Sequence, residues 1–380
     1  MAEPKSITIP AAVDLHVHFR EPSTNKAETI DSGSKAAALG GYGLVCDMPN
    51  NPGNPTWTME KLTAKQAIIK KSSYIPIATY TGSQPESDNL AELPKMAAKS
   101  IGLKLYGAAT TGNFVDYDPA AFDKIVAAWH KAASAKPIML HSGKDNLAEF
   151  ISLITGRHSH PLHICHVNSA ADVKLVEQAR ETGAKISCGV CPHHIFKSES
   201  DVRTQGWFAR MQPPLVDEDS AAELFKLFAT GEIDVLETDH APHLTVDKWA
   251  AELENPDAIH DPNHRTCFGV PGIEFALPLL FYQMSRGRIN LDRIIDATSK
   301  KPAKIIGVKL SPTTKVTWRL EKYRVGDKYP KGLSGSGWTP YMNNLAVGIV
   351  EKSVVGGKTL IENGKLIARL SQVANSGSVV

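Results

Sequence analysis

Short apolar, β-branched runs alternate with longer amphipathic stretches along most of the chain. The runs fall at 13–18, 43–48, 74–80, 101–106, 137–141, 162–166, 185–190 and 235–239. Between them, apolar residues recur at helical spacing over 27–39, 58–70, 118–133, 170–182 and 220–229. Several of these stretches end at a glycine, as helix C-termini do: Gly40, Gly183 and Gly231. Strand runs that read as continuously apolar are those buried on both faces, which is the habit of parallel sheets covered by helices. Eight such units predict an α/β fold, a closed (β/α)8 barrel of the TIM type; a doubly wound open sheet is the structural alternative.

The pattern changes after about residue 305, where alternating positions and glycine turns at Gly356-Gly357 and Asn363-Gly364 predict short antiparallel strands. The chain is therefore divided into a barrel over 1–305 and a small β-rich C-terminal segment over 306–380 packed on it. Strand one follows almost directly on the N-terminus, with no leading β-rich segment expected. Residues 332–338 read as a surface loop and 373–380 as a frayed end.

Composition narrows the function classes. Of 380 residues 42% are hydrophobic and 22% charged, with a formal net charge of +2, so neither a disordered chain nor a basic nucleic-acid surface is expected. No apolar run approaches the roughly 20 residues of a membrane span, and no secretory signal pattern opens the chain. Five scattered cysteines, Cys46, Cys165, Cys188, Cys191 and Cys267, suit reduced thiols rather than a disulfide framework. A cytoplasmic protein acting on a small molecule, without nucleic-acid or membrane partners, is the expectation.

A barrel presents its chemistry at the C-terminal ends of its strands, and here those ends carry metal-ligand residue types. The first expected strand closes on Asp14-Leu-His16-Val-His18-Phe-Arg20, the fourth holds Lys104 between two leucines, the fifth ends at His141, the sixth at His166 and the last at Asp239. Two-residue periodicity puts His16 and His18 on one face, where two imidazoles can grip one ion. Alone, a His-x-His pair is equally well read as packed or surface histidines; the recurrence of such residues at the other strand ends favours a metal. A buried ammonium at Lys104 requires a carboxylate partner or conversion to another species. Carbon dioxide on that amine makes a carbamate able to bridge two metals. Asp239 reads as a ligand and proton carrier, or more plainly as a cap or ion-pair partner. Arg20 faces the same mouth and suits a bidentate grip on a carboxylate; the plainer reading is a surface pair with Glu21. His243, four residues after Asp239, falls within reach of a ligand held above the metals. The 244–268 connection, with His260, His264 and Cys267, reads as a lid or a solvated insertion.

At these residues the sequence resembles the cyclic amidohydrolases, most closely the dihydroorotases of pyrimidine biosynthesis. The resemblance is carried by His16-Val-His-Phe-Arg-Glu-Pro22, Met48-Pro-Asn50, Gly102-Leu-Lys-Leu-Tyr106, His141, His163-Ile-Cys-His166, Pro192-His-His194, Thr238-Asp-His-Ala-Pro-His243 and Pro271-Gly-Ile-Glu274. It implies two zinc ions, one held by His16, His18 and Asp239, the other by His141 and His166, with carbamylated Lys104 between them. It further implies Asp239 as the catalytic proton carrier. Arg20, Asn50 and His243 would bind the substrate carboxylate and ring, with Thr110 or Thr111 contributing from a mobile loop. Gln212 stands where many relatives place Asn or Arg, so a substrate contact is altered there.

The implied reaction interconverts N-carbamoyl-L-aspartate and dihydroorotate, by a homodimer or within a larger pyrimidine-synthesis assembly. The resemblance leaves room for an allantoinase or dihydropyrimidinase, or for a noncatalytic scaffold domain. Animal relatives hold a further zinc with the cysteine matching Cys165, a glutamate matching Gly189 and the histidine matching His194. Glycine at 189 removes a ligand, so no further metal near Cys165 and His194 is expected; Cys188 and Cys191 read as packed strand-end thiols.

Overall fold

A computed structural model describes residues 6–23, 26–108, 118–143, 145–254, 267–329 and 332–380. Its strands are β1 (Ser6–Pro10), β2 (Ala12–Val17), β3 (Tyr42–Asp47), β4 (Ile77–Thr79), β5 (Thr81–Gly82), β6 (Leu103–Tyr106), β7 (Ile138–His141), β8 (Leu162–Ile164), β9 (Ile186–Val190), β10 (Val235–Leu236), β11 (Lys315–Arg324), β12 (Leu345–Val355), β13 (Lys358–Glu362), β14 (Lys365–Leu366) and β15 (Val373–Ala374). β2, β3 and β4 pair in parallel, as do β5 through β10 in sequence order. Parallel bridges from His240 to Val17 and to Val270 bring the last strand back to the first, which gives the barrel its closure. The residues of β2, β3, β6 and β7 are buried throughout, which is why they read as mainly apolar runs in which a few polar residues stand out.

Helices cover the outside, and their starts are set by polar caps. Thr29, Thr58, Asp118, Ser169 and Asp217 each accept a backbone N–H of the first turn that would otherwise lack a partner. The helix Glu218–Thr230 stops where Gly231 takes φ +106°, a left-handed conformation that costs glycine little. Four of the five expected helices are seen within a residue or two of their expected ends; the fifth starts later, at Ile30.

The appendage is a five-stranded antiparallel sheet in the order β1-β11-β12-β13-β14. A leading strand is therefore present, contrary to the expectation: β1 pairs along its whole length with β11, and its lone proline sits at the end of the pairing. The sheet is anchored by Trp318, whose ring meets Phe281 of the helix Ala276–Ser285 edge-on at 5.0 Å and lies where any side chain at Gly41 would stand. Removing a buried ring of this size costs about 3–5 kcal/mol.

One further expectation changes. The 373–380 segment is not frayed: β15 lies parallel to β4, and Val380 is buried with its N–H on the Lys309 carbonyl. Its Ser, Gly and Asn residues read as coil, while its order comes from backbone pairing that composition does not report. The expected loop over 332–338 is present at the surface, with Gly335 and Gly337 exposed, and is pinned by hydrogen bonds: Gly335 donates to Glu28, Leu333 and Ser334 donate to Glu274, and the Trp338 indole donates to the His243 carbonyl.

Candidate active site

The ligand-type residues stand at one end of the barrel because each follows or closes a strand. His16 lies in β2 with His18 just beyond it, Lys104 is within β6, and His141 closes β7. His166 and Asp239 follow β8 and β10. His16 Nε2, His18 Nε2 and Asp239 Oδ1 form a triangle with sides of 3.2, 3.0 and 3.3 Å. Ligands about 2.0–2.1 Å from a tetrahedral zinc are separated by about 3.3 Å, so the triangle has the size such an ion requires. His141 Nδ1 and His166 Nε2 stand 2.9 Å apart, and the His16 and His166 rings are 5.2 Å apart, placing the two groups side by side.

Electrostatics agree with that donor set. Burial, reinforced by the Lys104 charge, holds His16 well below the usual histidine range; His18 and His166 are lowered by burial and neighbouring cations. Neutral imidazoles offer lone pairs at neutral pH, as metal ligation needs. Burial raises the Asp239 carboxyl to about 6, against the opposing pull of Lys104 and Arg20. Both His166 and Asp239 have positive φ, at +41° and +43°, conformations that non-glycine residues rarely hold without compensating contacts. For His166 the compensation is visible: its backbone N–H donates to Glu237 Oε1 at 2.6 Å.

Lys104 is 1% exposed, and its Nζ donates to Cys165 Sγ at 3.2 Å. Among the described residues no carboxylate stands within ion-pair distance of it, so the plain reading of a lysine salt-bridged in the barrel has no partner here. By contrast Lys65, also buried, sits 2.6 Å from Asp47 and donates to the Met48 carbonyl. Asp47 in turn accepts from the Phe19 N–H, fixing the turn between His18 and Arg20.

Arg20 is 1% exposed with φ +62°, and its Nε and Nη1 have no hydrogen-bond partner among the described residues. The surface pair with Glu21 is not formed; Glu21 instead accepts from the Ile30 N–H. Arg20, Asn50, Gln212, His18 and Asp239 line one small cavity, and Asn50 Oδ1 is also unpartnered. Buried donors and acceptors left open toward a cavity mark where a ligand supplies the missing partners. Gln212 and Phe268 also border a cavity of about 480 Å³ that runs past His166 and Cys165. His243 does not line the small cavity: its Nε2 donates to the Phe268 carbonyl at 2.6 Å, so it braces the wall. Thr110 and Thr111 lie outside the described residues, as do His260 and His264. Of the 244–268 connection, Thr245–Glu254 is helical, with Lys248 tying the Arg210 and Cys267 carbonyls together.

Sequence reasoning missed Glu237. Fully buried, it bonds His163 Nε2 at 3.2 Å, lies 4.0 Å from His16 Nδ1 and accepts from His166. A carboxylate directly after the apolar pair Val235-Leu236 was the available signal.

A family profile described as Dihydro-orotase-like matches residues 5–111. The multifunctional protein CAD of Squalus acanthias is 29% identical over 97% of this chain, which spans 15% of that protein's length. The dihydroorotase of Bacillus subtilis strain 168 is 30% identical, with 94% of this chain and 88% of the relative aligned. The chain belongs to the dihydroorotase family. Among solved structures, the L-hydantoinase (dihydropyrimidinase) from Arthrobacter aurescens superposes with a TM-score of 0.83 at 21% identity, over 96% of this chain and 88% of that one. An inactive dihydroorotase-like domain of the Chaetomium thermophilum CAD-like multifunctional protein gives 0.74 at 18%, over 96% and 98%. Both bear out the TIM-type barrel. Dihydroorotases are hydrolases acting on a cyclic amide, and membership sets the chemistry against which this site is read. No helix among the described residues is long and apolar enough to cross a membrane.

Proposed function

We propose that this chain is a dihydroorotase with two zinc ions, held by His16, His18 and Asp239 on one side, His141 and His166 on the other, and carbamylated Lys104 between them. The observation that carries the reading is the convergence of the His16–His18–Asp239 triangle with a buried, carboxylate-free Lys104 beneath an unpartnered Arg20. Lys104 becomes a carbamate when its neutral amine attacks carbon dioxide and releases a proton. When bound, the ions acidify water and polarise a carbonyl.

The chain's own residues do the remainder. Arg20 offers a two-pronged grip to the ring's exocyclic carboxylate, and Asn50 Oδ1 accepts a ring N–H. Water oxygen bonds to the ring carbonyl carbon, the C–N bond breaks, and Asp239 takes the water proton and delivers it to the departing nitrogen. Ring closure of N-carbamoyl-L-aspartate to dihydroorotate is the same path reversed.

Arg20 separates this reading from an allantoinase or dihydropyrimidinase, whose substrates lack that carboxylate. The retained ligand set argues against a noncatalytic scaffold. Reduced cysteines favour the cytoplasm, and alignment of nearly the whole chain with a segment of multifunctional proteins supports work in a larger assembly, with a homodimer as the alternative. Turnover of dihydroorotate, allantoin and dihydrouracil, measured with zinc content on one preparation, tests the proposal. Dihydroorotate turnover with two zinc ions in these two sites is expected; turnover of the other two alone, or a metal-free inert chain, overturns it.

A further inference from the structure

The turn between β9 and the short helix Pro192–Phe196 gathers a second set of ligand atoms, sharing no side chain with the six residues above. Cys191, His193 and His194 each offer one, and the three atoms lie within 4.8 Å of one another, all in buried residues. His193 is 1% exposed, and neither of its ring nitrogens has a hydrogen-bond partner among the described residues. A buried polar group in that state forfeits about 1–3 kcal/mol, which a protein rarely tolerates without a ligand to meet it. His194 Nε2 donates to the Pro213 carbonyl at 3.1 Å, which fixes its tautomer and leaves Nδ1 as an unpartnered lone pair. Ligating histidines are ordinarily oriented in this way, one nitrogen on a carbonyl and the other on the metal. Cys191 is a buried free thiol.

We propose that Cys191, His193 and His194 form a further metal site for a zinc-class divalent ion. One thiolate and two imidazoles select zinc over magnesium or calcium, and three protein ligands leave a fourth position for water. Binding replaces the Cys191 thiol proton, which passes to solvent. No further metal is expected from the sequence near His194, and the members proposed here differ from those of the animal relatives' additional zinc. Cys188 turns away, its sulfur toward the Glu232 carbonyl at 3.9 Å. The space beside Gly189 is filled by the Glu237 carboxyl, 2.7 Å from where a Cβ would stand. The remaining candidate group, His16, Cys165 and Glu237, is already engaged: Cys165 accepts from Lys104, and Glu237 bonds His163 and His166. Through His194 and Pro213 the ion would tie the end of β9 to the wall that carries Gln212.

The full chain, stripped and reloaded with cobalt(II) and separately with zinc, tests this. The cobalt protein should show a sulfur-to-metal charge-transfer band that survives Cys165→Ser and disappears in Cys191→Ser. Zinc analysis should give one ion fewer per chain in Cys191→Ser and His193→Asn than in the unaltered protein. Anomalous diffraction at the zinc edge should place a peak among the three side chains, which decides the matter even if the variants fail to fold. No such peak in zinc-soaked crystals whose His16–His18–Asp239 group is filled, or a band indifferent to Cys191→Ser, overturns the proposal. None of these readouts depends on turnover, so an inactive chain leaves the test intact.

Discussion

The amine of Lys104 and the sulfur of Cys165 are 3.2 Å apart in the barrel interior, a weak acceptor facing a buried cation. That mismatch is relieved once the amine carries a carboxylate of its own. Lys104→Ala is expected to lower turnover at least a thousandfold while the circular-dichroism spectrum stays unchanged. Added short carboxylic acids should restore part of the rate; full activity of the variant without them would remove the carbamate from the scheme.

Arg20→Gln keeps a donor but loses the charge and the fork. Charge-assisted hydrogen bonds contribute about 1.5–3 kcal/mol, so the apparent KM for dihydroorotate should rise about 10- to 100-fold with zinc content unaltered. A KM unmoved by the substitution would take Arg20 out of substrate binding.

Glu237 holds the His166 backbone in its left-handed conformation, and Gly189 leaves room for it. Glu237→Gln should weaken retention of the ion near His166 about 10- to 100-fold, as loss of an orienting partner does. Gly189→Ala should act in the same direction by pushing the carboxyl aside. Chelator competition followed by zinc analysis reads both; retention equal to the unaltered protein in both variants would reduce Glu237 to a packing residue.

At the other end of the barrel, His160 is buried, its Nε2 on the Lys136 carbonyl and its Nδ1 3.1 Å from His130 Nδ1. Burial lowers its pKa to about 4. The native state thus keeps it neutral where the unfolded chain, with a pKa near 6.5, takes up a proton. Its contribution is fully present above pH 6.5 and is lost as pH falls toward 4. Allowing for screening around the partly exposed His130 and His158, the loss is about 1–2 kcal/mol. Urea unfolding from pH 7 to 4 should show His160→Gln losing less stability than the unaltered chain; identical slopes would refute the assignment.

Much of the barrel was readable because strands covered on both faces must be apolar throughout, and the few polar residues inside them stood out. His16, His18, Lys104 and Asp239 are legible for that reason. The sequence could not show where pairing stops. The runs at 162–166 and 235–239 end as strands at Ile164 and Leu236, because His166 and Asp239 turn into left-handed backbone to aim their side chains. Glu237 stayed hidden because its partners His163 and His166 are remote in sequence, and a long-range hydrogen bond leaves no periodicity. The bond from His243 Nε2 to the Phe268 carbonyl likewise leaves no trace in the sequence.

The parallel pairing of β15 with β4 has a consequence for biosynthesis. A ribosome releases Ile77 and Ala78 long before it makes Val373 and Ala374, so the nascent barrel carries an open sheet edge until those residues emerge. Such an edge invites pairing with other chains. Slowed elongation or premature termination ahead of Val373 should therefore yield aggregates rather than a shortened working enzyme.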